Sequence, residues 1–223
     1  MPNTKLRERI LELPLFQGMS RNDLEQVITS TKFRQFNMSK GKTVVGEGDT
    51  CDSLIFLVNG TISATGRADD NGYSITETFS APEILQPERI FGLTQRYTRT
   101  IKTVNDCSFI SLGKMETLAL ADNYDIFRLN MLNIVCTKSQ RLTRFPWRIK
   151  PKDIRHKIVR FIEMRCLRPA GEKLVCIKME RLSDEIGESR LNVSRELNAM
   201  NAEGAISLRR GEIKVFALEK LIM

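Results

Sequence analysis

Residues 179–218 read MERLSDEIGESRLNVSRELNAMNAEGAISLRRGEIKVFAL, and the reading of this stretch decides the C-terminal fold. Two short helical patterns flank one glycine. The first spans about 180–186, with Leu182 and Ile186 turned inward. Gly187 supplies a tight turn, and Ser189 is a natural N-cap for the second helix. In that helix Val193, Leu197 and Met200 fall at i, i+4 and i+7 and form the buried face. At about 100° per residue the opposite face carries Leu191, Arg195 and Asn198, flanked by Arg190. Leu191 is therefore expected to be exposed beside two arginines. Gly204 ends the helix, and ISLRRGEIKVFAL makes a hairpin tipped by Arg209, Arg210 and Gly211.

Two helices, a glycine turn and a basic hairpin describe a winged helix-turn-helix. Its second helix, about 189–202, suits the DNA major groove, which is about 12 Å wide. Arginine can bond guanine bidentately, and an apolar side chain can touch a thymine methyl, which gives Leu191 a reason to be outside. The expected base readers are Arg190, Leu191 and Arg195. Ser189, Asn192, Asn198 and Lys178 would contact phosphates or bases, and Arg209, Arg210 and Lys214 would hold the backbone from the wing. A helical hairpin used only for packing leaves the arginines and the leucine unexplained.

Upstream, Asp153 caps a helix with Ile154, Ile158, Phe161 and Ile162 inside, and LVCIKM forms a strand. FPWRIKP, with two prolines and a tryptophan, reads as a hinge. Before it, Leu120, Tyr124, Phe127, Met131, Ile134, Lys138, Arg141 and Phe145 step by alternating four and three, a heptad-like seam over about 25 residues ending at Pro146. A narrow stripe on so long a helix suits pairing with a second copy, and Tyr124, Phe127, Met131, Ile134 and Lys138 are the expected dimer seam. Packing against the chain's own N-terminal part is the competing reading.

Nearer the front the period changes to two. TVVGEGD, SLIFLVNGTISAT, YSITETFS and CSFISL are short β-rich runs, with hairpin signals at Asn59-Gly60 and Asn71-Gly72. Such spacing suggests an antiparallel sandwich or barrel. Ahead of it, Ser20 caps a helix whose inner face is Leu24, Val27 and Ile28.

The 223 residues are comfortable for two domains, and no apolar run approaches the roughly 20 residues of a membrane helix. The N-terminus carries no recognisable signal peptide, so a cytoplasmic location is expected, with no membrane partner. Five scattered cysteines and a single histidine, His156, offer no clustered metal ligands and few nucleophile–base arrangements. No Walker loop, dinucleotide fingerprint, H-E-x-x-H or G-x-S-x-G occurs, and Glu83 and Glu88 form a loop pair with no evident partner, so the chain does not read as an enzyme. The net charge is +8, and it is concentrated: Lys138–Arg168 holds eleven bases against Asp153 and Glu163. Such a stripe suggests a polyanion, or else a solvated helix face.

With these motifs in place, the chain resembles the cyclic-AMP receptor protein/FNR (Crp/Fnr) family of bacterial transcription regulators over essentially its whole length. LPLFQGMSRNDLEQVI, KGKTVVGEGD and LIFLVNGTISA resemble the family's cyclic-nucleotide-binding β-roll, the seam helix its dimerisation helix, and IGESRLNVSREL its helix-turn-helix. The resemblance implies an α+β chain: an N-terminal antiparallel β-roll of jelly-roll type over 1–115, a long dimerisation helix and hinge over 116–150, and a C-terminal winged helix-turn-helix over 151–223. It implies a homodimer on near-palindromic double-stranded DNA, acting on RNA polymerase, with a small effector in some members.

The departures are specific. The family's recognition helix begins Arg-Glu with a second arginine four residues after the glutamate. Arg190 and Arg195 match, but Leu191 stands at the glutamate and cannot accept from cytosine N4, so the preferred DNA sequence should differ. The family's nucleotide pocket uses Gly-Glu for ribose and Arg-Ser or Arg-Thr for phosphate. Here Phe91-Gly92-Leu93 stands at the first pair. Arg99-Thr100 can supply the second, or Tyr97 takes the arginine's place when the chain is aligned on Cys107. Leu142-Thr143 stands where adenine is contacted. A cyclic phosphate buried without its arginine is costly, so these residues point away from cyclic AMP and leave an unidentified effector or none. The cysteines do not match the family's iron–sulfur branch. The alternative function is a ligand sensor that acts through protein contacts, with a degenerate helix-turn-helix.

Overall fold

The computed structural model describes residues 9–144, 147–151 and 153–222. The hinge residues Phe145, Pro146 and Lys152 lie outside them. The fold is α+β, and the chain divides into two compact units, one of residues 1–62 and 79–141, the other of 63–78 and 142–223.

In the first unit helix α1 (Arg21–Ser30) starts where Ser20 Oγ accepts from the Asp23 amide at 3.1 Å, and it buries Leu24 and Val27. Strands β1 (Arg34–Met38), β3 (Ser53–Asn59), β6 (Glu83–Ile84) and β8 (Cys107–Gly113) make an antiparallel sheet in the order β1-β8-β3-β6. Strands β2 (Thr43–Val45) and β7 (Thr100–Thr103) pair with each other outside that sheet. The core is aromatic at its centre: Phe16 packs on Phe56 and Phe127 at centroid distances of 6.0 and 5.2 Å.

Two expectations need correction here. Asn59-Gly60 is not a hairpin turn. Gly60 has φ +100°, but β3 pairs with β8 and β6, whereas β4 (Thr61–Arg67) has β5 (Tyr73–Ser80) as its neighbour. The glycine turns a corner, and a Cβ there would lie 2.6 Å from the Cys107 sulfur. Asn71-Gly72 does join neighbouring strands, with Asn71 left-handed at φ 56°. The second correction concerns the seam helix. It is interrupted at Tyr124, which is extended (φ −130°, ψ 104°), giving α2 (Lys114–Asn123) and α3 (Asp125–Arg144). Asn123 caps its own backbone by donating to Ala119 O at 2.7 Å, the kind of local bond that competes with helix continuation.

One expected seam residue changes role. Phe127 is fully buried against Phe16 and belongs to this unit's core. Tyr124, Met131, Ile134 and Lys138 are half-buried on neighbouring positions. The apolar stripe with the largest side chain goes to the intramolecular core because ring burial is worth more than an exposed seam. A different stripe, Leu129, Leu132 and Cys136, again spaced three and four, is exposed.

In the second unit α4 (Ile154–Arg165) begins at Asp153, whose carboxylate accepts from the His156 amide at 2.9 Å. It buries Ile158, Val159, Phe161 and Ile162. Strand β9 (Lys173–Ile177) follows, then α5 (Met179–Ile186), α6 (Arg190–Ala202), and the β10 (Ile206–Arg209) and β11 (Glu212–Val215) hairpin. A last turn, α7, spans Glu219–Ile222. β11 pairs with both β10 and β9, and β9 pairs in turn with β5. Residues 63–78, assigned by sequence to the N-terminal part, are therefore packed into this unit, because strand pairing across sequence leaves no local signal.

Candidate nucleic-acid interface

Gly187 adopts φ 67°, ψ 43°, the left-handed geometry that ends α5 and turns the chain into α6. Ser189 Oγ then accepts from the Asn192 amide at 3.2 Å and caps α6. Leu182, Val193, Leu197 and Met200 are buried in one cluster with Ile158, Ile162 and Val175. With that face committed to the core, Arg190, Leu191, Asn192, Arg195 and Asn198 are exposed together, Leu191 at 60%. The hairpin turn exposes Arg209 and Arg210, where Gly211 takes φ 75°. Lys178 is exposed ahead of α5. Lys214 is otherwise engaged: its ammonium lies 2.8 Å from Glu172, so it meets a phosphate only by giving up that partner.

Sequence reasoning missed the residues that hold this surface in place. Arg155 on α4 donates to Glu196 and to Glu203, both at 2.7 Å, clamping the two ends of the second half of α6. The guanidinium holds the Glu203 carboxyl below its usual range. Lys157 pairs with Glu188, just before α6. Arg190 reaches Glu180 of α5 at 3.1 Å. The basic stripe is thus countered in part: Arg148 pairs with Glu163, Arg165 with Glu185, and Arg155 and Lys157 as above. Except for Glu163, these acids lie outside the stripe, where a local charge count does not see them. His156 is held by Asp153, its Nδ1 2.7 Å from either carboxylate oxygen.

The sequence-derived ligand residues do not share one environment. Tyr97 is buried, and its hydroxyl donates to Ser53 O at 3.4 Å. Burial, reinforced by the Cys51 thiol, pushes its pKa up, and burial likewise raises Cys51. Thr100 accepts from the Glu47 amide at 3.2 Å, and Arg99 donates to Thr98 O at 3.4 Å. Phe91 carries the Lys114 ammonium 5.3 Å from its ring centre, Gly92 is left-handed at φ 94°, and Leu93 is wholly exposed. Leu142 and Thr143 fall in the other unit. Glu88, unpartnered in the sequence reading, pairs with Lys138 of α3. Nearby, Gln86 is buried in a left-handed conformation and exchanges two hydrogen bonds with Thr98. Among the described residues no group of three or more His, Cys, Asp or Glu side chains could hold a metal, and no helix is long and apolar enough to cross a membrane.

Residues 35–124 match the model of the cyclic nucleotide-binding domain. The Crp/Fnr resemblance read from the sequence is also borne out. One solved structure, described as a transcriptional regulator of the Crp/Fnr family from Eubacterium rectale, is 17% identical, with 95% of this chain and 98% of that one aligned at a TM-score of 0.50. The sensor domain of the transcriptional regulator DNR from Pseudomonas aeruginosa is 16% identical over 68% of this chain and 98% of its own, at 0.53. At these identities the likeness is one of fold. No curated protein matches the sequence. A cyclic nucleotide-binding domain makes a small effector a coherent expectation without naming it.

Proposed function

We propose that the chain is a sequence-specific DNA-binding transcription regulator of the Crp/Fnr type, working as a homodimer. The observation that supports this most is the division of α6, with Val193, Leu197 and Met200 in the core and Arg190, Leu191 and Arg195 outside. In this reading α5, Gly187 and α6 are the helix-turn-helix, β10–β11 is the wing, and Arg209 and Arg210 hold phosphates. Leu191 contacts a thymine methyl where an acid would accept from cytosine. The exposed Leu129, Leu132 and Cys136 stripe is the face of α3 that meets the second copy. RNA polymerase and a near-palindromic site follow from the Crp/Fnr type.

The effector is a small molecule other than cyclic AMP. Leu93 is fully exposed and cannot accept from a ribose hydroxyl, and Tyr97 is buried on protein partners. The test is selection of bound duplexes from a random pool, with and without cyclic AMP. A two-fold-symmetric consensus without nucleotide is the expected result. A consensus only with cyclic AMP would overturn the effector assignment, and none under any condition would overturn DNA reading.

A further inference from the structure

The strand register of the second unit gathers three turns at one end of its sheet. β11 begins at Glu212, opposite Cys176 near the end of β9, and the Ile177 amide donates to Gly211 O at 2.9 Å. Tyr73, the first residue of β5, lies opposite Ile177. β4 is the next strand in order and ends at Arg67, and the Ala68 amide donates to Tyr73 O at 3.0 Å. The wing turn, the entry to α5 at Lys178 and the 68–72 turn therefore stand side by side. From β11 to β4 is three strand spacings, about 14 Å.

The 68–72 turn is pinned to α5. Asp70 pairs with Arg181 at 3.0 Å and accepts from the Gly72 amide at 2.9 Å, and Asn71 takes the left-handed φ of 56° that the turn needs. Tyr73 packs its ring on Phe161 at 5.2 Å, and its hydroxyl accepts from Arg165 Nε at 2.8 Å. Between the turns lies a cavity of about 310 Å³, with Arg67, Tyr73, Ser74, Cys176, Lys178 and Gly211 among its lining residues. The lining holds two cations and no carboxylate; Asp69 is exposed on the turn but does not line it. Arg67 and Lys178 are both exposed, and among the described residues neither side chain has a hydrogen-bond or ion-pair partner. Arg155, Lys157, Arg165 and Arg181, by contrast, each sit on an acid. Two cations around one opening without an acid repel each other, and a phosphate between them would offset that repulsion.

We propose that Arg67 is a DNA-backbone contact, supplied by the β4–β5 turn from outside the helix-turn-helix and wing. With Lys178 it grips a phosphate at the mouth of the cavity. The distance of about 14 Å from the wing spans about four base-pair steps of about 3.4 Å, so this phosphate is not one held by Arg209 or Arg210. The footprint on the duplex extends past the wing accordingly. The proposal deepens the DNA-reading function given above and rests on it.

The test uses the full chain and a duplex recovered by selection. Arg67→Ala should weaken the selected and random duplexes alike, by about fivefold, and should lower the slope of log affinity against log salt by about 0.9. Arg67→Lys should keep the parent slope. Phosphates of the selected duplex are then replaced one at a time by neutral methylphosphonates. One position should weaken the parent but not Arg67→Ala, and it should differ from the position to which Arg210→Ala is blind. An unchanged slope for Arg67→Ala, no recovery in Arg67→Lys, or no such position would overturn the proposal. So would competition by inorganic phosphate, at constant ionic strength, that Arg67→Ala removes, since the cavity would then hold a free anion. If the wild type binds no duplex, DNA reading and this contact fall together; if it binds and Arg67→Ala matches it in affinity and slope, this contact alone falls.

Discussion

Arg195 and Leu191 share the exposed face of α6, and in the proposed function they make different demands on DNA. Arg195 carries a fork of donors and suits guanine. Arg195→Ala should cost about 1–3 kcal/mol on the selected duplex and much less on random DNA, measured by fluorescence anisotropy. Equal loss on both would make it a phosphate contact. Leu191 can only discriminate by shape. Leu191→Glu restores an acceptor, so repeated selection should move the consensus toward cytosine at the position it faces, with the protein's stability unchanged because the site is solvent-facing. An unaltered consensus would remove Leu191 from the reading surface. The exposure of these two side chains was legible in the sequence because a helix of known start has only one pair of faces. Lys214 was not, because its partner Glu172 lies on a neighbouring chain segment.

At the scale of elements, α6 is clamped by Arg155 through Glu196 and Glu203, and α4 is capped by Asp153. Glu203 is lowered first by the hydrogen bond from Arg155, and Asp153 first by the His156 amide. A carboxyl whose folded pKa lies below its unfolded value of about 4 adds stability above that value and loses it as pH falls through the folded one. The thermal midpoint should therefore hold from neutrality to about pH 5 and fall below about pH 4, and Arg155→Met should flatten part of that fall. A midpoint that is flat to pH 3 would dissolve the clamp. For α3 the expectation is structural: Leu132→Glu places a charge in the proposed dimer face while leaving Phe127 in its core. Light scattering should then report a monomer. Disruption at Phe127 would instead unfold the first unit, since truncating a fully buried phenylalanine costs about 3–5 kcal/mol. The heptad spacing was visible in the sequence, but two stripes on α3 satisfy it, and only packing against Phe16 chooses between them.

For the whole molecule, the local count of eleven bases over 138–168 overstates the positive surface of that stripe. Several bases of the 138–168 stripe are met by acids from other elements. Salt dependence of DNA binding should therefore follow the few exposed cations of the interface, not the stripe. Arg210→Ala should reduce the slope of log affinity against log salt by about 0.9 for each phosphate released. Lys157→Ala should barely change it, provided Glu188 is replaced by glutamine as well. A large change from that double variant would return the stripe to the interface.

By itself the sequence determined the local elements and the two faces of α6. Helix caps, glycine turns and apolar periodicity act within a few residues, and each needs only its own neighbours to be satisfied. It also carried the motifs that mark a cyclic nucleotide-binding domain. Only the tertiary structure decided which stripe of α3 is core, that Asn59-Gly60 turns a corner between sheets, that Glu88 belongs to Lys138, and that β5 pairs with β9. The physical reason is common to all four. Each depends on partners far away in sequence or on competition between equivalent faces, and burial, not local propensity, settles such choices.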